Sequence, residues 1–279
     1  MRRSGLVEHA RDLGVHDHVC WRYDDVLEFQ ARAREFLREG LEQGSRILYT
    51  APGPVDALVE SLRGIDGIDR ALRDGAAHVA SVDAVYSAGG VVDPVAQVRT
   101  YANATEAALA DGFSGLRVAA DVTPLVRSAR QFDAFARYEH LADRYMADHA
   151  FSALCAYSAA DVDDRAFAHV ASLHPNTNTD TSGFRLHALG GGLTALGGEV
   201  DSSTELFTAA LDRVDLRPQN GELVLDATAL TFLDHNSLLR LVDRLSDRGS
   251  PVVLRTSWPG LSRLVKLLDL HSVRVEEVA

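Results

Sequence analysis

The feature that most constrains this chain is the strict alternation of strand-like and helix-like segments through its first 175 residues. Short apolar runs at His18–Tyr23, Arg46–Thr50, Ala77–Val85, Leu116–Val122 and Phe151–Tyr157 read as strands. Between them, amphipathic stretches over Asp25–Gln43, Val55–Arg63, Asp69–Arg73, Pro94–Asp111 and Ala129–His149 read as helices, with a last one over Asp161–Leu173. Gly44 closes the first helix, and Gly89-Gly90 form a loop before Pro94 opens the next long one. Such alternation implies parallel βαβ units, hence an α/β sheet covered by helices on both faces.

The rhythm then changes. His174 to Gly183 is almost wholly polar and carries Pro175 and Gly183, which divides the chain into a domain over 1–175, a linker over 176–183 and a domain over 184–279. Strands at Phe184–Ala188 and Leu193–Gly197 flank a Gly190-Gly191-Gly192 turn. Ser202 or Ser203 caps a helix to about Val214, and Leu223–Asp226 is a strand. Asp234 caps a helix to about Leu245, followed by a strand at Pro251–Arg255, a helix at Gly260–Leu268 and a strand at Val273–Val275. This predicts a small sheet with helices packed against it.

The formal charge of −12, from 40 acidic against 28 basic residues, disfavours direct nucleic-acid binding. Two distant cysteines, Cys20 and Cys155, make no disulfide framework and suit a reducing cytoplasm. The start Met1-Arg2-Arg3-Ser4-Gly5 leads into no apolar run, and no window approaches the length of a membrane span, so neither a signal peptide nor a membrane partner is expected.

The C-terminal part resembles a STAS domain, the fold of bacterial anti-sigma-factor antagonists. The resemblance spans Phe184 to Glu277 and rests on Gly198-Glu199-Val200-Asp201, Leu223-Val224-Leu225-Asp226, Leu230-Thr231-Phe232-Leu233-Asp234 and Val265-Lys266-Leu267-Leu268-Asp269-Leu270. It implies a partner that is an anti-sigma factor or GHKL-type serine kinase, docking at the helix start formed by Asp234, His235, Asn236 and Ser237. Such domains usually carry Asp-Ser-Ser-Gly there, and phosphorylation of the first serine adds close to two negative charges that break the interface. This chain reads Asp234-His235-Asn236-Ser237, with His235 where the acceptor hydroxyl would stand. Either the module lacks the serine switch and is controlled by the other domain, or Ser237 is used, although it lies about 200° around the helix from His235. Phosphorylation of His235 rests on residue type alone. Asp234 serves as N-cap in every reading.

The N-terminal part resembles a MEDS sensory domain, the type found in a regulator of dichloromethane utilisation. The matching pieces are His18-Val19-Cys20-Trp21-Arg22-Tyr23, Phe36-Leu37-Arg38-Glu39-Gly40-Leu41, Leu116-Arg117-Val118-Ala119-Ala120-Asp121, Tyr138-Glu139, Leu154-Cys155-Ala156-Tyr157 and His174-Pro175. The resemblance implies a RecA-like topology, a small organic ligand, and a pocket drawn from His18, Cys20, Asp121, Glu139, Cys155 and His174. Asp121 ends its strand, where parallel sheets place ligands. His18 and Cys20, two apart on one strand, share a face, and with Cys155 and His174 they make a Cys2His2 set of metal-ligand type. A cysteine in an apolar strand is more commonly core packing, and a glutamate inside a long helix is commonly solvated. No metal or cofactor is therefore expected.

RecA-like topology raises ATP chemistry, and the residues argue against it. After Ile47-Leu48-Tyr49-Thr50 come Ala51-Pro52-Gly53-Pro54, whose prolines lack the N–H donors of a phosphate cradle, and the chain's one lysine is Lys266. The expectation is a non-enzymatic cytoplasmic regulator in which the first domain controls partner binding by the second. A ligand-binding scaffold is the alternative, and a homodimer is compatible with both.

Overall fold

In the computed structural model, residues 2, 4–86, 90–201, 204–246 and 249–278 are described. Gly89 and the expected cap residues Ser202 and Ser203 lie outside them.

The first sheet is built from β1 (Gly5–Leu6), β2 (His18–Tyr23), β3 (Arg46–Ala51), β4 (Ala77–Ser81), β5 (Leu116–Asp121), β6 (Phe151–Ser158) and β7 (Asn176–Thr177). Its order is β1-β7-β2-β6-β5-β3-β4 and its pairings are parallel. The helices between the strands are α1 (Val26–Glu42), α2 (Val55–Ser61), α3 (Ile68–Arg73), α4 (Val82–Tyr86), α5 (Pro94–Ala110), α6 (Ala129–Asp148) and α7 (Asp164–Ala171). Alternate residues of the central strands enter opposite cores: Val19, Trp21, Ala119 and Leu154 one, Cys20, Val118, Ala120 and Cys155 the other.

Local chemistry explains the ends of these elements. Asp25 caps α1 through Leu27 and Glu28 N–H, Asp93 caps α5 through Val95 and Ala96 N–H, and Ser128 with Gln131 forms a capping box on α6. Gly40 lets α1 lie on β5, since a Cβ there would come within 2.7 Å of the Arg117 side chain. That guanidinium is buried, pairs with Glu39 at 2.6 Å and lies over the Phe36 ring. The family-like pieces around Phe36–Leu41 and Leu116–Asp121 are thus in part a packing device.

Two expectations need correction. The strand expected over Ala77–Val85 stops at Ser81, whose hydroxyl accepts from Ala84 N–H and starts α4. The expected linker 176–183 begins as sheet: Asn176 and Thr177 pair with β1 and β2, and Asn178 hydrogen-bonds both Arg22 backbone groups. Polar side chains hid a strand that joins the edge strand β1 to β2.

The second sheet comprises β8 (Phe184–Gly190), β9 (Leu193–Val200), β10 (Leu223–Ala227), β11 (Leu230–Leu233), β12 (Val252–Thr256) and β13 (Val273–Glu277). β8 and β9 form an antiparallel hairpin, and β10 and β11 both run parallel to β9 along its other edge. β12 and β13 follow in parallel. Helices α8 (Thr204–Arg213), α9 (His235–Ser246) and α10 (Pro259–Leu267) complete it. β11 lies in the Leu230–Leu233 segment that the sequence marks as a motif but not as a strand. Gly198 takes φ +88°, and a Cβ there would come within 2.3 Å of the Gly183 carbonyl oxygen.

The halves are not separate bodies. Ala136 of α6 and Leu173 pack in the same apolar cluster as Phe184, Leu186, Phe207 and Leu216, and Leu186 N–H donates to Ser172 O at 2.7 Å.

Candidate functional site

α6 carries two stripes. Phe135, Tyr138, Glu139, Ala142 and Met146 turn toward the first sheet. On the other side Asp133 pairs with Arg213, Arg137 donates to Asp212 O, Arg144 meets Asp215, and Asp148 accepts from Gly191 N–H.

Under the first stripe, His18, Glu139, Cys155 and His174 converge, with one ligand-type atom of each inside a 4.8 Å span. Glu139 Oε2 lies 3.1 Å from His18 Nε2, 3.5 Å from Cys155 Sγ and 3.6 Å from His174 Nε2. Cys155 Sγ is also 3.5 Å from His18 Nε2, and the two imidazoles lie 3.9 Å apart between centroids, tilted by 39°. All four side chains are buried. The solvated reading of Glu139 therefore fails: α6 presses it against the sheet.

Three of the four members are oriented from outside the group. His18 Nδ1 lies 3.2 Å from Asp143 Oδ1 and, facing a carboxylate, carries its proton there. His174 Nδ1 lies 2.8 Å from Val170 O, so it too is protonated on Nδ1. Tyr157 donates to Glu139 Oε1 at 2.9 Å. Burial lowers the His18 pKa, but hydrogen bonds to Asp143 and Glu139 outweigh it and leave it raised. Burial, then the His18 charge, lowers His174 to about 4 and keeps it neutral. Burial would raise Glu139, yet the hydrogen bonds from His18 and Tyr157 and the His18 charge hold it lowered. Burial raises the Cys155 thiol well above its ordinary value, and Glu139 adds to that.

Of the six expected pocket residues the structure brings four together. Cys20 sits beside Cys155 in the β2–β6 register but outside the group, so the Cys2His2 set is replaced by one in which Glu139 takes the second cysteine's place. Asp121 is not part of it. It follows Ala119 in the alternation, faces the opposite core, and is engaged by Tyr23 OH at 2.9 Å and Thr123 N–H at 3.1 Å. His174, rather than opening a linker, is fully buried.

Asp143 went unrecognised in the sequence. It stands one helical turn after Glu139, and that spacing was the available signal. Its Oδ1 meets Arg2 at 2.6 Å as well as His18, and its Oδ2 accepts from Ala188 N–H of β8 at 2.7 Å. Burial would raise it, but Arg2 and His18 hold it below the usual carboxylate range. Two clefts flank this contact. One of about 300 Å3 is lined by Arg144, Tyr145, Asp148, Ala188 and Gly190, the other, of about 770 Å3, by Arg2, His16, Asp17, Ala147 and Leu189.

At the far end of the chain, His235 and Asn236 are exposed at the start of α9, with Asp234 accepting from the N–H groups of Asn236 and Ser237. Ser237 corrects its assignment as a contact residue: it is buried and its hydroxyl donates to Asp234 Oδ2 at 2.7 Å. It belongs to the cap.

The profile of the MEDS family, the methanogen/methylotroph DcmR sensory domain, matches residues 17–175, and the chain belongs to that family. Membership points to a regulatory, sensing role for the first half. The chain matches no curated protein. Among the described residues no helix is long and apolar enough to cross a membrane.

Proposed function

We propose that the chain is a ligand-responsive regulator whose MEDS half controls how a STAS-type C-terminal half binds a protein partner, an anti-sigma factor or GHKL-type serine kinase. The observation that carries this reading is the Asp143 carboxylate, which accepts from His18 of the sensory half and from Ala188 N–H of the second sheet. A ligand can shift a protein only through a difference in affinity between two arrangements. The clefts of about 300 and 770 Å3 fall in the size range of small-molecule sites and are lined from both halves. A small organic ligand seated there touches both sides of the seam at once.

The exposed His235 and Asn236 support the docking role of the α9 start, beside the exposed Phe232. His235 offers no serine hydroxyl and Ser237 is buried, which favours control by the sensory half over control by serine phosphate. The chain in this reading binds and does not turn over substrate. Pro52 and Pro54 after β3 deny a phosphate the backbone donors it needs.

The test is calorimetric titration of the full chain against a GHKL-type anti-sigma kinase. Binding at micromolar concentration or tighter is expected, weakened at least about tenfold by His235→Glu, which mimics phosphate charge at the interface. Asp143→Asn, far from the turn, should also change the affinity. No binding by the parent chain would leave a scaffold role instead. A phosphate localised on Ser237 after incubation with the kinase would overturn the phosphate-independent part.

A further inference from the structure

We infer that His18, Glu139, Cys155 and His174 form a binding site for a divalent transition-metal ion, with zinc as the ion that the donor set fits. The site goes beyond the sensory reading and stands or falls without it.

The first ground is geometry. Zinc holds imidazole nitrogen at about 2.0–2.1 Å, carboxylate oxygen at about 2.0–2.2 Å and thiolate sulfur at about 2.3 Å, so a tetrahedron of such ligands has edges of about 3.3–3.7 Å. Of the six separations here four run from 3.1 to 3.6 Å, and all six lie within 4.8 Å. The ligands come from β2, β6, α6 and the turn after α7, so the fold, rather than one flexible loop, sets the shape.

The second ground is an unpartnered atom. Val170 O fixes the His174 proton on Nδ1, leaving Nε2 as a lone pair. That fully buried nitrogen makes no hydrogen bond and faces the Glu139 carboxylate at 3.6 Å. Two electron-rich atoms aimed at each other in a dry interior call for a cation between them.

The third ground is the surrounding layer. Metal-bound histidines donate their other N–H to a carboxylate or backbone carbonyl, and ligating carboxylates are themselves hydrogen-bonded. His18 does the first with Asp143, His174 the second with Val170, and Tyr157 serves Glu139.

Metal binding needs a thiolate at Cys155 and a free ring nitrogen on each histidine, so uptake of the ion displaces whatever protons those atoms carry. Because the ligands are buried, the ion is acquired on folding and exchanges slowly.

The experiment uses the full chain, unfolded with chelator and reductant and refolded with Zn2+ or Co2+. Elemental analysis after gel filtration should find one zinc per chain. The Co2+ form should show visible bands of tetrahedral intensity and a near-ultraviolet thiolate-to-metal band. Cys155→Ser should lose the thiolate band while Cys20→Ser keeps it. Asp143→Asn, with all four ligands intact, should weaken retention about 10- to 100-fold. Should Cys155→Ser fail to fold, the comparison of the parent chain with Cys20→Ser still decides. Refolded parent chain that retains no zinc or cobalt, or a thiolate band lost in Cys20→Ser, overturns the inference. A thiolate band that survives in folded Cys155→Ser does so too.

Discussion

The molecule carries two concentrations of polar chemistry that differ in kind. The group around Glu139 and Asp143 is buried, drawn from separated segments and bound to itself. The Asp234 turn is contiguous, and its middle residues face solvent. A buried polar group is costly unless every member finds a partner, so its residues are held in place by one another. An exposed turn needs only its cap for shape and leaves its other side chains free for contact. The first arrangement suits detection or storage of a state, the second suits recognition.

Substitutions should respect that contrast. The largest effect belongs to Glu139→Ala, which leaves two imidazoles and a thiol without their shared carboxylate. A loss of about 3–5 kcal/mol is expected in guanidinium unfolding, and a loss below about 1 kcal/mol would break the comparison.

Next is a pH effect at the seam. Burial lowers His187 of β8 from the ordinary value of 6.5 to about 4, with Asp143 opposing and Arg2 and Arg185 reinforcing the shift. The unfolded chain thus takes up a proton below pH 6.5 that the folded chain refuses until about pH 4. Stability contributed by neutral His187 is therefore full above pH 6.5 and lost as pH falls toward 4, by up to about 3 kcal/mol. His140 and His174 are lowered to about 4 in the same way, so His187→Leu should remove only its share of the slope between pH 6.5 and 4, and an unchanged slope would show that His187 contributes none.

At the exposed turn, Asp234→Ala should cost only about 1 kcal/mol, the ordinary value of an N-cap. His235→Ala should alter stability by less than about 0.5 kcal/mol while weakening partner binding. A large stability loss from His235→Ala would mean that the turn is structural after all.

How much of this was legible in the sequence follows the same division. The alternating pattern placed the main strands and helices of the first half, because a sheet buried on both faces leaves apolar runs between amphipathic helices. The small strands Gly5–Leu6 and Asn176–Thr177 stayed hidden because they are held by backbone pairing and carry no apolar signature. His18, Glu139, Cys155 and His174 were each nameable as candidates, yet nothing in their separations showed that Glu139 and not Cys20 completes the group. That depends on which way α6 rolls on the sheet. Asp121 looked equally suitable from its strand end and proved to face the other core. Arg2 carried no local signal, since its role exists only once β8 and α6 meet beside it. The Asp234 cap, being local, was readable outright, whereas the burial of Ser237 required the helix to be packed.

Asp143 joins the two halves, and the chain's two tryptophans offer a direct test of that link. Trp21 reports β2 and Trp258 reports the start of α10. Guanidinium unfolding followed by fluorescence in Trp258→Phe and in Trp21→Phe should give coincident midpoints with Asp143 present and separated midpoints once Asp143→Ala is added. Midpoints that already differ with Asp143 in place, or that stay together without it, would contradict the proposed link.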